Sequence, residues 1–357
     1  MNFDFSDDQK LLADQVGKYL DDSCSSATVR KVLDGDSPMA HDVWQGLADM
    51  GLLGTAIPEN YGGTGAGYLE LCLVAQALGA HLAPVPFAQT VYLVTECLLQ
   101  FGDDAQKQKW LPQIASGSVK ASLVGPQTTS LAVEGGKLSG HAEFVSDGSV
   151  ADLFVVLAGA EQALYIVEAG EGVGVQTVET IDLSRDAAAV TFDNARCEHL
   201  AGDGVAKLEQ INDRAAVLMA FEQLGGAQSA LQMAVNYSQE RFAFGRPIAT
   251  FQALKHMMAD MYVAMKLAEN NCYYAAWALQ NDAPELPLAA ATARVGATQA
   301  FQLCARDNIQ VHGGMGFTWE FDCHLYYRRS NYLALELGGL TEWEGKLVAA
   351  LPLAASA

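Results

Sequence analysis

Apolar residues in the first third of the chain recur at the spacing of one helix face. After Ser6, a predicted N-cap, the first stripe consists of Leu11, Leu12, Val16 and Leu20. The same period returns around Trp44 and in three later segments, 68–78, 91–101 and 105–117. We therefore predict that residues 1–118 form an N-terminal helical domain.

The pattern changes at about residue 121 to that of strands. Short β-branched or alternating runs, separated by Gly, Asp and Ser, predict a middle antiparallel β-domain over residues 119–203. The predicted strands are 121–124, 131–133, 137–145, 153–158, 163–168 and 188–192.

Helical spacing returns at about residue 205 and continues to the end of the chain. One predicted helix face carries an apolar stripe of Phe251, Leu254, Met258, Met261 and Met265, which we expect in a core. Similar stripes predict a C-terminal four-helix bundle over residues 204–357. The fold class is therefore α+β, with a helical domain, an antiparallel β-domain and a helical bundle.

Composition and charge exclude several classes of function. The chain has 357 residues, half of them apolar, and a formal net charge of −21 that would repel nucleic acid and anionic membranes. The acidic N-terminus lacks the features of a signal peptide and no stretch reaches the length of a membrane span, so we expect a cytoplasmic protein. The seven cysteines are scattered singly, which predicts reduced core thiols and no metal site.

The segment 241–248, Arg-Phe-Ala-Phe-Gly-Arg-Pro-Ile, has the features of a break between two long helices. Pro247 ends one helix, and Thr250 is placed to cap the next. Arg241 and Arg246 are fixed cations whose planar groups match phosphate oxygens. The simpler interpretation is a hinge without a ligand.

The segment 310–316, Gln-Val-His-Gly-Gly-Met-Gly, is predicted to lie at the end of a later helix. Gly313 and Gly314 leave bare backbone where a ligand can approach closely, beside the amide of Gln310. A helix stop is the simpler interpretation. Together with the first segment, it predicts a site for an extended anionic ligand.

The glycine-rich loop at 51–65 is a weaker candidate for binding phosphate. It lacks the Lys-Ser/Thr ending of a P-loop and follows no clear strand, so we interpret it as a structural turn.

The two helix-end segments resemble the C-terminal domain of the acyl-CoA dehydrogenase family. Members carry Arg-x-x-Phe-Gly-x-x-Ile-x-x-x-Gln and then Gln-x-x-Gly-Gly-x-Gly, and the glycine-rich loop and the Phe-Val-Ser-Asp-Gly segment at 144–148 are also similar to theirs. The resemblance covers nearly the whole chain. It implies an FAD-dependent oxidoreductase that converts an acyl-CoA to an enoyl-CoA, in fatty acid or steroid side-chain catabolism.

The resemblance also implies partners and cofactor-binding residues. We expect a homo- or hetero-oligomer, dimer or tetramer, that passes electrons to electron-transfer flavoprotein or a similar acceptor. Phe144 and Ser146 take the positions beside the flavin. The residues implied for the FAD of a neighbouring subunit are Arg241, Phe244, Gln252, Gln310, Gly313 and Gly314.

The chain departs from the family at the catalytic base. The two positions at which members carry a glutamate fall on Leu337 and Ala215. Glu336 and Glu222 are the nearest carboxylates and the candidate catalytic residues, since a base must reach its proton. The simpler alternatives are a solvated residue for Glu336 and, for Glu222, a buried partner of an arginine such as Arg214 or Arg241.

Two other features complete the site prediction. The segment 122–130 is shorter than the loop that contacts the flavin in family members, which implies an incomplete flavin site. His312 is expected to end a helix, His256 to pack in a core and Asp260 to be a structural acid.

Four hypotheses remain open from the sequence. The first is an active dehydrogenase with a displaced base, and the second is a non-catalytic subunit that completes the FAD site of a catalytic partner. The third is a helical scaffold without flavin, and the fourth is a flavin oxidase or monooxygenase of the same architecture.

Overall fold

The computed structural model of the chain describes residues 5–126 and 131–351. The first third is helical, as predicted. Ser6 caps the first helix, because its hydroxyl accepts a hydrogen bond from Gln9 N at 3.2 Å while Gln9 Oε1 accepts one from Ser6 N. The helices are α1 (Asp7–Ser23), α2 (Ser26–Leu33), α3 (His41–Asp49), α4 (Tyr68–Ala80), α5 (Thr95–Phe101, after a π-helical segment Ala88–Val94) and α6 (Asp104–Ala115).

The middle of the chain forms a seven-stranded sheet, with β6 paired to β7 beside the path β1-β4-β5-β7-β3-β2. The prediction of a wholly antiparallel sheet was wrong at one edge, where β1 pairs with β4 in parallel. The strands are β1 (Ala121–Val124), β2 (Ala132–Glu134), β3 (Lys137–Ser146), β4 (Leu153–Ala158), β5 (Ala163–Glu168), β6 (Val173–Thr177) and β7 (Ala187–Ala201).

The last third is helical apart from one small hairpin. The hairpin strands β8 (Phe242–Ala243) and β9 (Arg246–Pro247) lie between the two longest helices. The helices are α7 (Gly204–Glu240), α8 (Gln252–Gln280), α9 (Leu286–His312), α10 (Cys323–Leu335) and α11 (Leu340–Ala350). Within the described residues, no helix has the length and apolar character that a membrane crossing requires.

Contacts divide the chain into two compact units. Unit 1 comprises Met1–Ser26, Cys72–Ala83 and Ala216–Ala357, and unit 2 comprises Ala27–Leu71 and Pro84–Ala215. The three-domain division at 118 and 203 stays a prediction.

Close helix packing holds α4 against α7 in unit 1. A Cβ added at Gly79 would lie 1.8 Å from Glu222 O, and one added at Gly225 would lie 1.9 Å from Gln76 O. Glycine at these two positions therefore lets the backbones approach. The fully buried Arg329 of α10 adds a polar contact, donating from Nη2 to Leu82 O at 3.1 Å.

The core of the sheet in unit 2 includes Phe154 and Phe192, whose rings meet edge to face with centroids 6.0 Å apart. The glycine-rich loop folds onto itself in the same unit. A Cβ at Gly63 would lie 2.0 Å from Ile57 O, which supports the interpretation of this loop as a structural turn.

Three local predictions concern caps, histidine and the methionine stripe. Thr250 does not cap α8, because its hydroxyl donates to Pro247 O and the helix begins after Phe251. His256 is exposed rather than packed in a core, since the first turns of α8 lie on the surface of the chain. Of the predicted core stripe, Met261 and Met265 are buried, as expected, whereas Phe251, Leu254 and Met258 are partly exposed.

All seven cysteines are free, and six of them are buried. Burial raises the pKa of Cys24, Cys304 and Cys323 to about 12, so these thiols stay protonated. In residues 5–126 and 131–351, no cluster of three or more His, Cys, Asp or Glu side chains has the arrangement of a metal site.

Candidate functional site

A cleft in unit 1 brings the two predicted binding segments together. Its volume is about 390 Å³. The C-terminal part of α7 and the residue after the hairpin form one wall, and the end of α9 with the turn that follows it forms the other. The lining residues are Tyr237, Arg241, Ile248, Val311, His312, Gly314 and Met315.

Arg241 brings an exposed positive charge to this cleft. Its backbone N–H donates to Tyr237 O at 2.9 Å, which fixes the residue at the last turn of α7. Its carbonyl accepts a hydrogen bond from Ile248 N at 2.8 Å, which closes the base of the hairpin. The hairpin therefore holds a guanidinium at the cleft that is suited to phosphate oxygens.

The hairpin turn presents an aromatic side chain to solvent. Both central residues have positive φ, 51° at Phe244 and 75° at Gly245, as in the two-residue turns that favour Asn-Gly. Phe244 is 95% exposed, and its ring lies edge to face with that of Phe251, with the two centroids 6.2 Å apart. A phenylalanine in a left-handed conformation costs about 1 kcal/mol relative to a residue that tolerates positive φ.

The glycines after α9 have different structural roles. Gly313 has φ 61°, and Cβ atoms added at Gly313 or Gly314 would meet open space. At Gly316, in contrast, an added Cβ would lie 2.6 Å from Ile309 O. The first two glycines thus expose backbone at the cleft, whereas the third permits close packing beneath it.

An aromatic stack forms one side of the cleft. The rings of Tyr237 and His312 are stacked with centroids 4.0 Å apart and an interplanar angle of 21°. The ring of Phe321 meets both rings at 5.8–5.9 Å, edge-on to Tyr237. Nδ1 of the buried His312 lies 2.8 Å from Asn308 O. Burial lowers the pKa of His312, and the backbone bond opposes that shift.

The two candidate catalytic carboxylates, Glu222 and Glu336, lie near one buried cation, Arg294. Its side chain, 1% exposed on α9, donates from Nη2 to Leu333 O and Glu336 O, the latter at 2.6 Å. Burial lowers the pKa of Arg294 to about 10, while the negative charges of Glu336 and Glu222 oppose this shift. Glu222 is itself 3% exposed. Both carboxylates therefore act electrostatically on Arg294.

Apolar residues occupy the two positions where family members carry a base, and their local structures differ. Ala215 is fully buried on α7. Leu337 has φ 63°, and its carbonyl accepts a hydrogen bond from Trp343 Nε1 at 3.0 Å. Neither side chain can accept a proton.

The residues predicted beside the flavin lie in unit 2. Phe144 is 46% exposed on β3, whereas Ser146 is buried and its carbonyl accepts a hydrogen bond from Ser122 Oγ at 2.7 Å. Directly after them, Asp147 accepts a hydrogen bond from Arg185 Nη2 at 2.9 Å in a buried ion pair. The segment 122–130, predicted to be a shortened flavin loop, lies partly outside the described residues, which end at 126 and resume at 131.

Comparisons with known proteins identify the family of the chain. Residues 6–118 match the family model for the acyl-CoA dehydrogenase N-terminal domain, and residues 202–350 match that for the C-terminal domain. The acyl-CoA dehydrogenase IpdE2 of Mycobacterium tuberculosis is 32% identical over 329 residues, covering 91% of this chain and 91% of the relative. The chain belongs to the acyl-CoA dehydrogenase family.

Two solved structures confirm the fold class. A chain of the ChsE4-ChsE5 complex from Mycobacterium tuberculosis superposes with a TM-score of 0.90 at 29% identity, covering 99% of this chain and 100% of that one. Butyryl-CoA dehydrogenase from Megasphaera elsdenii gives 0.91 at 23% identity, covering 98% and 99%. The α+β architecture of helices, sheet and helices is therefore that of the family.

The structure brings part of the predicted site together. Arg241 and Gly314 line one cleft, and Gln310 and Gly313 are exposed at the end of α9 that forms its wall. Gln252 is exposed at the first position of α8. The FAD-binding roles of these residues stay predictions.

Two lining residues were missed as binding candidates. Tyr237 lies one helical turn before Arg241, and this i, i+4 spacing was a signal for a shared helix face. His312 was interpreted as a helix-end residue, which is its position, but its side chain also lines the cleft.

The two arginines named as examples of a partner for Glu222 have other surroundings. The negative charge of Glu222 acts on the buried Arg294. Arg241 lines the cleft, and Arg214 donates from Nε to Glu96 at 2.7 Å. In that second buried cluster, in unit 2, the Tyr68 hydroxyl donates to the other oxygen of Glu96, also at 2.7 Å. The Arg214 guanidinium lies over the Tyr68 ring at 4.8 Å.

Proposed function

We propose that this chain is the non-catalytic subunit of a heteromeric acyl-CoA dehydrogenase. In this assembly the chain completes an FAD site of a catalytic partner of the same family, which oxidises an acyl-CoA thioester to an enoyl-CoA. The observation that carries the proposal is that the two family base positions hold Leu337 and the fully buried Ala215. Relative to the family pattern, the chain keeps the cleft residues that suit a phosphate-bearing ligand. It has no acidic residue at either of the two base positions.

The chemistry of the cleft fits the nucleotide part of FAD. Arg241 offers a guanidinium to phosphate oxygens, Gly314 offers bare backbone, and Tyr237 with His312 offers an aromatic wall. When bound, FAD supplies the acceptor for the hydride that leaves the acyl group. The chain's own contribution is to bind and orient that cofactor, and Phe244 in the hairpin, Gln252 at the start of α8 and Gln310 near the end of α9 are also exposed.

The carboxylates do not fit the role of general base. A base needs access to the substrate's α-proton and a free carboxylate to receive it. Glu222 is 3% exposed, and its charge stabilises a cation that is otherwise costly to bury. The Glu336 carboxylate acts on the same cation, and its backbone carbonyl accepts from it. Both glutamates are thereby assigned to folding.

The relatives support a heteromeric assembly and a class of substrate. One structural neighbour is a chain of a complex between two named proteins, ChsE4 and ChsE5. We extend that organisation to this chain, with an acyl-CoA from fatty acid or steroid side-chain catabolism as the substrate of the assembly. Electron-transfer flavoprotein or a similar protein would accept the electrons.

Single substitutions in the assembled enzyme test this division of roles. Glu222→Gln and Glu336→Gln are expected to leave the turnover rate of FAD-loaded complex within about threefold, because neither removes a base. Arg241→Ala is the matched control, expected to lower FAD content. A drop of about 10³ in turnover at unchanged FAD content would show that the substituted glutamate is the base and overturn the proposal.

A further inference from the structure

The ring of His312 is fixed in one orientation at the cleft. It is buried, its Nδ1 lies 2.8 Å from Asn308 O one turn earlier in α9, and one face stacks on Tyr237. The same ring lines the cleft beside Arg241 and Gly314. A side chain held by both a hydrogen bond and a stack is pre-organised for a partner in that cleft.

The backbone contact determines which ring nitrogen carries the proton. A carbonyl oxygen can only accept, so Nδ1 donates to Asn308 O and carries the hydrogen. Burial favours the neutral ring by lowering the pKa of His312. Nε2 is then a lone-pair acceptor, and within residues 5–126 and 131–351 no side chain or backbone group donates to it.

We propose that Nε2 of His312 accepts a hydrogen bond from the exocyclic amine of a purine bound in this cleft, which makes His312 a specificity-determining residue for adenine. The proposal deepens the proposed function, because it rests on this cleft receiving the nucleotide part of FAD. In this proposal the two ends of one ligand contact different residues, the adenine ring His312 and the phosphates Arg241.

The chemistry of the two ends supports this assignment. Phosphate oxygens accept hydrogen bonds, so they have no favourable contact with the lone pair of a neutral imidazole, whereas an amine N–H does. The aliphatic lining of Ile248, Val311 and Met315 suits a flat heterocycle rather than a charged group. Arg241, exposed at the last turn of α7, supplies the charge that the phosphates require.

Titrations of the full chain with two nucleotides test the proposal. Adenosine diphosphate carries the 6-amine, and inosine diphosphate carries a carbonyl oxygen in its place, which would face the lone pair of Nε2. We expect the wild-type chain to bind adenosine diphosphate about tenfold more tightly than inosine diphosphate. With inosine diphosphate the hydrogen bond to Nε2 is lost, and the carbonyl oxygen and Nε2 are two acceptors that face each other.

Three variants assign this preference to the residue. His312→Phe keeps a ring to stack on Tyr237 and is expected to bind both nucleotides with equal affinity. His256→Phe makes the same change at an exposed position of α8 and is expected to retain the tenfold preference. Arg241→Ala is expected to weaken both nucleotides to the same degree.

The possible outcomes separate this inference from the proposed function. Equal affinities in the wild type, or a preference that survives in His312→Phe, would overturn the role of His312 and leave the FAD cleft standing. Saturable binding of neither nucleotide would overturn the role of His312, and the FAD content of the assembled enzyme with and without Arg241→Ala decides the proposed function separately.

Discussion

Arg294 illustrates how one buried residue decides the role of two others. Its guanidinium is 1% exposed, donates to two carbonyl oxygens at the end of α10 and lies in the field of Glu336 and Glu222. The sequence named Arg214 and Arg241 as possible partners of Glu222 and did not point to Arg294. The proximity of Arg294 to both carboxylates depends on packing between α7, α9 and α10, which local sequence patterns do not encode.

Removing this cation is expected to destabilise the chain strongly. Arg294→Met leaves the carboxylates without their buried counter-charge and two carbonyls without a donor, at a cost of about 3–5 kcal/mol in the free energy of unfolding. Urea denaturation measures the change. Arg306→Met, on the same helix but with a side chain that is 66% exposed in its ion pair with Asp307, should change the free energy of unfolding by less than about 1 kcal/mol. Equal effects of the two substitutions would contradict the cluster's role.

Phe244 is predicted to lower the stability of the chain and to contribute to FAD binding. Phe244→Asn places a residue that tolerates positive φ at the turn and should raise the free energy of unfolding by about 0.5–1 kcal/mol, while FAD content of the assembly falls. Phe242→Asn is the control, because Phe242 is also exposed but lies in a strand. A loss of stability in Phe244→Asn would show that the turn is not strained.

The lowered pKa of His312 predicts a dependence of stability on pH. Below about pH 6.5, the ordinary value, the unfolded chain binds a proton that the folded chain resists, so stability is lost as pH falls from 6.5 toward the lowered folded-state pKa. The free energy of unfolding changes by at most about 1.4 kcal/mol per pH unit through this one group. The free energy of unfolding should therefore decrease more between pH 7.0 and pH 5.5 in the wild type than in His312→Phe. An identical fall would refute this linkage.

At the scale of elements, the hydrophobic pattern predicted most helices and strands. It missed β6 (Val173–Thr177), where a glycine and exposed side chains weaken the strand pattern, and it truncated β7, which continues through the polar pair Asp193-Asn194. The parallel pairing of β1 with β4 was also missed, because strand partners are chosen by tertiary contacts rather than by local periodicity.

Helix contacts in unit 1 give a sharp test of why glycine occupies particular positions. Gly79→Ala and Gly225→Ala should each destabilise the chain by about 2 kcal/mol or more, because their Cβ atoms would lie within 1.9 Å of backbone oxygens on the facing helix. Gly17→Ala, in α1 with nothing within 4 Å of its added Cβ, should stabilise by about 0.5–1 kcal/mol. Thermal unfolding of the three variants distinguishes them, and equal shifts would contradict the packing argument.

At the scale of the whole molecule, sequence motifs predicted that two distant segments bind one ligand. They did not predict the shape of the site. Arg241 and Gly314, more than 70 positions apart, line one cleft. The roles of Tyr237 and His312 required the helix ends to be placed side by side. A chain with a net charge of −21 must bind a phosphate-bearing ligand through such local cations.

The FAD content of the purified protein tests the central claim most directly. The visible absorption spectrum would be recorded for the chain alone and after co-expression with acyl-CoA dehydrogenase chains of the same organism. We expect a colourless lone chain and, with its catalytic partner, one FAD for each pair of unlike chains. One FAD per chain in the lone protein, reduced by an acyl-CoA, would contradict the non-catalytic role.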